Sequence, residues 1–306
     1  MTTQEATTGM RVAFIGLGVM GAAMAANLAR KGFAPVVFNR TPAKAAPLVA
    51  LGAKQAETAL EAARNADVVF LCLSATEDVA AVLFGSAGIA PALTRGTTVI
   101  DTSTIDPIAA REFAERLAVQ GVDLLDSPVT GGEKGAINGT LTCMVGGSAD
   151  ALARGRPCLE AIASRIIHMG EAGAGQVTKA CNQICAATTW LGISEALALA
   201  VKLGVDPGRV REVLLGGTAR SAGLEGNGAR FLASDFKPGF RAALMEKDIR
   251  IAVETLSRAR VFAPVVGNVL QVLKTLVETG HADDDWISVA RLVQELSGVP
   301  KETPPK

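Results

Sequence analysis

The chain has 306 residues, 49% of them hydrophobic, and its thirty basic residues balance thirty acidic ones. A chain of this length can bury a sizeable core and suggests two domains at about 150 residues each. Zero formal charge removes any general attraction to nucleic acid or to an anionic membrane, which favours a small-molecule partner.

Residues 1–9 are Thr-rich, with neither a basic start nor an apolar h-region, and read as a disordered leader rather than a signal peptide. The short apolar strand that follows runs into Gly16, Gly18 and Gly21 and a helical stretch over 22–30. This G-x-G-x-x-G spacing points to a dinucleotide: Gly16 permits the tight turn, Gly18 lets backbone approach a pyrophosphate, and Gly21 lets the helix lie close on the sheet. The N-terminus of that helix offers N–H groups and a positive dipole end to phosphates.

β-Branched runs at Val36–Phe38, 68–73 and Thr98–Asp101 alternate with helical stretches near 43–50, 58–65, 77–84 and 106–119, the pattern of a doubly wound parallel sheet. Segments 122–125, 141–145 and 166–169 extend the sheet, with a Gly-rich loop at 131–139. From residue 176 to 203 the pattern is one long helix, and 207–215, 223–234, 243–259 and 263–279 also read as helices. The expected fold class is therefore α/β: a Rossmann-type domain over 10–172, a long interdomain helix, and an all-α C-terminal domain over 173–306. Residues 299–306 form a Pro-rich tail. No stretch of about twenty apolar residues escapes a charge, since the long helix contains Glu195 and Lys202, so the chain reads as cytoplasmic.

Cys72, Cys143, Cys158, Cys181 and Cys185 include no C-x-x-C pair and read as reduced core residues. With His168 and His281 the only histidines, a zinc site lacks ligands and no metal is expected. Beyond the second strand, where an NAD site usually carries a carboxylate, the chain reads Asn39-Arg40-Thr41. Arg40 offers a guanidinium to a 2′-phosphate, so NADP(H) is favoured, with NAD(H) possible. The chain has no tyrosine, and His168 and His281 read as structural, so the proton donor is sought among lysines.

Four blocks resemble the β-hydroxyacid dehydrogenases, a family that includes 3-hydroxyisobutyrate dehydrogenase and tartronate semialdehyde reductase. They are Gly16-Leu17-Gly18-Val19-Met20-Gly21 with Met24 to Leu28, Asp101 to Pro107, Asp126-Ser127-Pro128-Val129-Thr130-Gly131-Gly132, and Gly173 to Lys179. A fifth, Asp235 to Arg241 followed by Lys247-Asp248, is similar to the tartronate semialdehyde reductases, as is Asn182-Gln183-Ile184.

The resemblance implies that Lys179 is the general acid that protonates the developing alkoxide. An ammonium early in a helix opposes the dipole, which already suggests a task for it. Thr130, Gly131 and Gly132 are placed at the substrate carboxylate, with Thr130 standing where relatives usually carry Ser. Relatives often carry Asn four residues after the lysine. Here Gln183 stands there and Asn182 at the third position, and either can supply the amide. Leu73, Ser74, Thr104, Phe240 and Lys247 join Gly16–Gly21 and Asn39–Thr41 as cofactor-binding residues, and the reach of Phe240 and Lys247 implies a cleft between domains.

The expected reaction is reduction of a short aldehyde acid such as tartronate semialdehyde, or oxidation of 3-hydroxyisobutyrate-like acids. The alternatives are a glyoxylate or succinic semialdehyde reductase, an imine reductase, and a non-catalytic NADP-binding protein. A homodimer or homotetramer is expected.

Overall fold

The computed structural model describes residues 9–299, so the leader reading of residues 1–8 and the Pro-rich tail from residue 300 lie outside the described residues. By its internal contacts the chain divides into two units, the first ending at Lys179 and the second beginning at Ala180. The division falls within the helix Ala174–Lys202, several residues beyond the boundary expected near residue 172.

The first unit is built on nine strands among the described residues: β1 (Val12–Ile15), β2 (Val36–Phe38), β3 (Lys54–Gln55), β4 (Val68–Leu71), β5 (Thr98–Asp101), β6 (Asp123–Asp126), β7 (Val129–Thr130), β8 (Leu141–Gly146) and β9 (Ala163–Gly170). They lie in the order β3-β2-β1-β4-β5-β6-β8-β7, with β9 on β8. Strands β3 through β6 pair in parallel, whereas β8 runs antiparallel to β6 and β7.

Strands β1, β4 and β5 are buried on both faces, as parallel strands covered by helices must be. The pleat sends Val12 and Phe14 into one core with Met24, Leu28 and Leu141, and Ala13 and Ile15 into another with Val79, Leu83 and Phe113. Phe14 and Phe70 stack at 5.4 Å between centroids in the first of these cores.

Two segments differ from expectation. The Gly-rich stretch 131–139 is largely the helix Gly132–Asn138, fixed by the Asn27 amide donating to the Ala136 carbonyl at 2.7 Å. A helix over Ala149–Ile162, capped by Ser148, was not anticipated, because Gly155 and Pro157 interrupt its pattern.

The second unit is helical. Ala222–Leu232, Ala242–Arg258, Val266–Leu276 and Val289–Leu296 surround Trp190, whose ring meets Phe231 and Trp286 edge-on at 6.4 Å each. The helix Ala174–Lys202 is long and apolar enough to cross a membrane by length and composition. Its Ala187, Trp190, Ile193 and Leu197 are buried in the helical core.

The cysteines need a correction. Cys143 and Cys158 are buried and Cys72 half-buried, but Cys181 and Cys185 are exposed. They sit one turn apart, off the face on which Ala180, Gln183 and Ala187 are buried.

Candidate active site

The glycine turn joins β1 to the helix Val19–Arg30. Gly16 has φ +100°, and a Cβ there would run into the Cys72 carbonyl. One at Gly21 would meet the Gly16 carbonyl and come within 3.2 Å of Phe14. At Gly18 nothing lies within 4 Å of a Cβ position. Gly18 also begins the helix without a side-chain cap, and Val19 beside it is exposed. A crowded turn and an open helix start are what a pyrophosphate requires of this segment, so the residues present fit the dinucleotide.

The neighbouring segments occupy the carboxyl ends of β2, β4 and β5. Asn39 accepts from the Leu17 N–H at 2.9 Å and donates to the Thr41 carbonyl at 3.1 Å, so its amide braces the turn. The buried Leu17 side chain packs in the core. Arg40 is exposed, with its guanidinium 3.8 Å from Asp78. Leu73 donates its N–H to the Ser103 hydroxyl at 2.8 Å, Ser74 is exposed, and Thr104 is half-buried in the next segment. Met20, the remaining residue of the glycine block, is half-buried and packs on the core.

Asp126, at the end of β6, is fully buried. It accepts from the Gly173 N–H at 2.7 Å and the Gln176 N–H at 2.9 Å, which ties the start of the long helix to the sheet. Burial pushes its carboxyl up to about 6, against the opposing pull of the backbone N–H groups. The Gln176 amide donates to the Ser103 carbonyl at 2.8 Å and accepts from the Ile105 N–H at 3.0 Å. Composition and spacing assign no role to Asp126 or Gln176. Both stood inside the family blocks, but their partners are 47–73 residues away in sequence.

Lys179, 8% exposed, donates from Nζ to the Val129 carbonyl at 2.9 Å. The next residue, Thr130, is half-buried and opens the turn made by Gly131 (φ +128°) and Gly132 (φ +63°). The Gly131 angle is one that only glycine holds without strain, and the Gly132 angle is left-handed, where glycine is favoured. The proton-donor candidate and the carboxylate-loop candidates are thus brought together within the first unit.

In the second unit the Gln183 amide is fixed at both ends. It donates to Asp248 at 2.8 Å and accepts from the Asn182 amide at 2.7 Å. Asp248, 2% exposed, also pairs with Lys247 at 2.8 Å. Phe240 is half-buried in a segment organised by Asp285, which accepts from Gly239 N–H at 2.7 Å and Phe240 N–H at 3.3 Å and pairs with Arg230 at 3.2 Å. Asp285 closes a run of three aspartates, Asp283 to Asp285, whose composition gives no sign of its buried partners.

His168 contacts the Gly147 carbonyl at 2.7 Å and His281 pairs with Asp284 at 2.8 Å, both within local structure. Among the described residues no group of three or more His, Cys, Asp or Glu side chains is placed to hold a metal.

Residues 11–170 match the NAD-binding domain of 6-phosphogluconate dehydrogenase, and residues 173–293 match the NAD-binding region of NADP-dependent 3-hydroxyisobutyrate dehydrogenase. The chain is 38% identical to 2-hydroxy-3-oxopropionate reductase of Escherichia coli over 288 residues, which is 94% of this chain and 98% of that one. It is 37% identical to 3-hydroxyisobutyrate dehydrogenase of Pseudomonas aeruginosa, covering 92% of this chain and 97% of the relative. Its fold superposes with a TM-score of 0.85 on the 3-hydroxyisobutyrate dehydrogenase of Mycobacterium tuberculosis determined with L-serine, at 35% identity over 93% of this chain and 99% of that one.

The chain belongs to the β-hydroxyacid dehydrogenase family. It is an oxidoreductase that uses a nicotinamide dinucleotide.

Proposed function

We propose that this enzyme reduces a short aldehyde acid, tartronate semialdehyde (2-hydroxy-3-oxopropanoate) first among them, and prefers NADPH to NADH. The observation that carries the reading is the buried Lys179 ammonium on the Val129 carbonyl, one residue from the Thr130-Gly131-Gly132 turn. A buried ammonium costs several kcal/mol to desolvate, so its retention beside an anion-binding turn argues for chemistry rather than solubility.

The bound nicotinamide supplies the hydride. Lys179 holds a proton for the carbonyl oxygen as it becomes an alkoxide, and takes it back when a β-hydroxy acid is oxidised. The Thr130 hydroxyl and the N–H groups of Gly131 and Gly132 hold the carboxylate. Because the Gln183 amide is buried and held at both ends by Asp248 and Asn182, whereas Asn182 is half-buried and bonds Gln183 through Nδ2, we assign the substrate-facing amide to Asn182. Gly16, Gly18 and Gly21 shape the pyrophosphate turn, with Val19 and Met20 opening its helix. Arg40 takes the 2′-phosphate, while Leu73, Ser74, Thr104, Phe240 and Lys247 complete the cofactor's surroundings. The working form is a homodimer or homotetramer.

The substrate is tested by kcat/KM for tartronate semialdehyde, glyoxylate and succinic semialdehyde with NADPH and NADH, alongside oxidation of 3-hydroxyisobutyrate and L-serine. Tartronate semialdehyde with NADPH should lead. A higher kcat/KM for glyoxylate or succinic semialdehyde would move the assignment to that acid, and no turnover at all would leave a dinucleotide-binding protein.

A further inference from the structure

We infer that Gln176 is a positioning residue for this reaction: its side chain holds the Thr104 segment in register with the helix turn that carries Lys179. The inference rests on Lys179 being the proton donor.

Gln176 is 1% exposed, so its carboxamide has no recourse to water and its bonds fix it in one orientation. Its Nε2 donates to the Ser103 carbonyl at 2.8 Å and its Oε1 accepts from the Ile105 N–H at 3.0 Å. These are the residues on either side of Thr104, so one planar group grips the backbone before and after it. Ser103 is itself held, its N–H donating to Asp101 at 2.9 Å and its hydroxyl accepting from Leu73 N–H at 2.8 Å. The gripped segment is therefore tied to the ends of β4 and β5.

The other end of the device is equally fixed. The Gln176 N–H donates to Asp126 at 2.9 Å and the Gly173 N–H to the same carboxylate at 2.7 Å, so the helix start cannot slide along β6. Lys179 lies three residues further on, a little under one turn and about 4.5 Å along the axis. A shift of Gln176 by a fraction of an ångström therefore carries over to Lys179. An apolar side chain of equal volume would fill the same space without specifying register, so burying a carboxamide here secures geometry more than stability. Reactions that depend on alignment lose about a hundredfold in rate for a misplacement near 1 Å.

The test is a double-substitution cycle on the full-length enzyme with tartronate semialdehyde and NADPH. Gln176→Met keeps the volume and removes both bonds, while Gln176→Glu keeps the acceptor for Ile105 and sets a carboxylate against the Ser103 carbonyl. In the wild-type background each should lower kcat about ten- to a hundredfold, with substrate KM and the NADPH Kd from fluorescence changing about threefold or less. Tm should fall by a few degrees, because the buried backbone groups of Ser103 and, in the methionine variant, Ile105 lose their partner. In a Lys179→Ala background the same substitutions should lower single-turnover rate by less than about threefold, since the group they position is gone.

Equal losses in both backgrounds would overturn the inference, as would wild-type kcat for both variants. Failure of both to fold would assign Gln176 to stability and overturn it too. A Lys179→Ala enzyme with normal kcat would instead remove the proton-donor reading, a result that needs no change at Gln176.

Discussion

The Lys179 ammonium and the Val129 carbonyl are 2.9 Å apart, and the residue after Val129 is Thr130. The helix that brings the lysine and the strand that brings the threonine are thereby joined, at the place where the proposed function puts a substrate's carbonyl and carboxylate ends. One hydrogen bond from Thr130 to a carboxylate contributes about 1–2 kcal/mol. Thr130→Ala should accordingly raise the substrate KM about five- to thirtyfold and spare the NADPH KM. Steady-state titration of each ligand at saturating levels of the other decides it. A collapse of NADPH affinity with substrate KM unchanged would give this turn the wrong ligand.

Arg40 is exposed, with Asp78 at 3.8 Å from its guanidinium. With Arg40 proposed to take the 2′-phosphate, Arg40→Asp should remove a charge-assisted contact and add repulsion, damped by solvent, so NADPH should bind about ten- to a hundredfold more weakly while NADH changes little. Fluorescence titration with both cofactors checks this. Equal losses for the two would detach Arg40 from the 2′-phosphate.

The glycine turn separates two kinds of glycine. Gly21→Ala drives a methyl into the Gly16 carbonyl and should cost about 1–3 kcal/mol of stability together with cofactor binding. Gly18→Ala meets nothing within 4 Å, so its Tm should stay at the wild-type value while NADPH affinity falls. Calorimetry and titration on both variants would contradict this if Gly18→Ala lost stability as Gly21→Ala does.

Asp126 carries a pH signature. Its folded carboxyl stands at about 6, above the ordinary carboxylate value of 3.8, because it is buried. Stability from this group is fully present below pH of about 4 and is lost as pH rises through about 6, a change of about 3 kcal/mol. Asp126→Asn lacks that titration, although its amide cannot accept from both Gly173 and Gln176 as the carboxylate does. Urea unfolding from pH 4 to 7 should show the wild type losing ground to the variant as pH rises. Parallel curves would mean that the carboxyl does not titrate in this range.

Much of the first unit was legible because its signals are local. A strand ending in Gly16, Gly18 and Gly21 is specified within eleven residues, and apolar runs such as 68–73 mark buried parallel strands by composition alone. The helix Gly132–Asn138 was hidden because two of its seven residues are glycines, and its support comes from Asn27, 109 positions from Ala136. The helix Ala149–Ile162 was masked by Gly155, where the missing side chain leaves room for Ile100, and by Pro157. Cys181 and Cys185 looked like core residues by type, but helix phase turns them outward. Within the candidate site, Lys179 and the Thr130 turn are named by the family blocks, and the structure shows them as neighbours through the Val129 carbonyl. The grip of Asp126 and Gln176 on their partners joins residues that only the folded sheet brings together.

The measurement that bears most directly on the account is kcat for Lys179→Ala and Lys179→Arg with tartronate semialdehyde and NADPH, run beside fluorescence titration of each variant with NADPH. Loss of a general acid predicts a fall in kcat of about 10²–10⁴-fold in the alanine variant with cofactor affinity unchanged. Arginine should not restore turnover, since a guanidinium stays protonated near neutral pH. In the wild type, the falling limb of the reductive pH–rate profile should report loss of the Lys179 proton, and it should vanish from the residual activity of the alanine variant. Near-normal kcat in either variant, with NADPH bound as in the wild type, would contradict the assignment of Lys179 as proton donor.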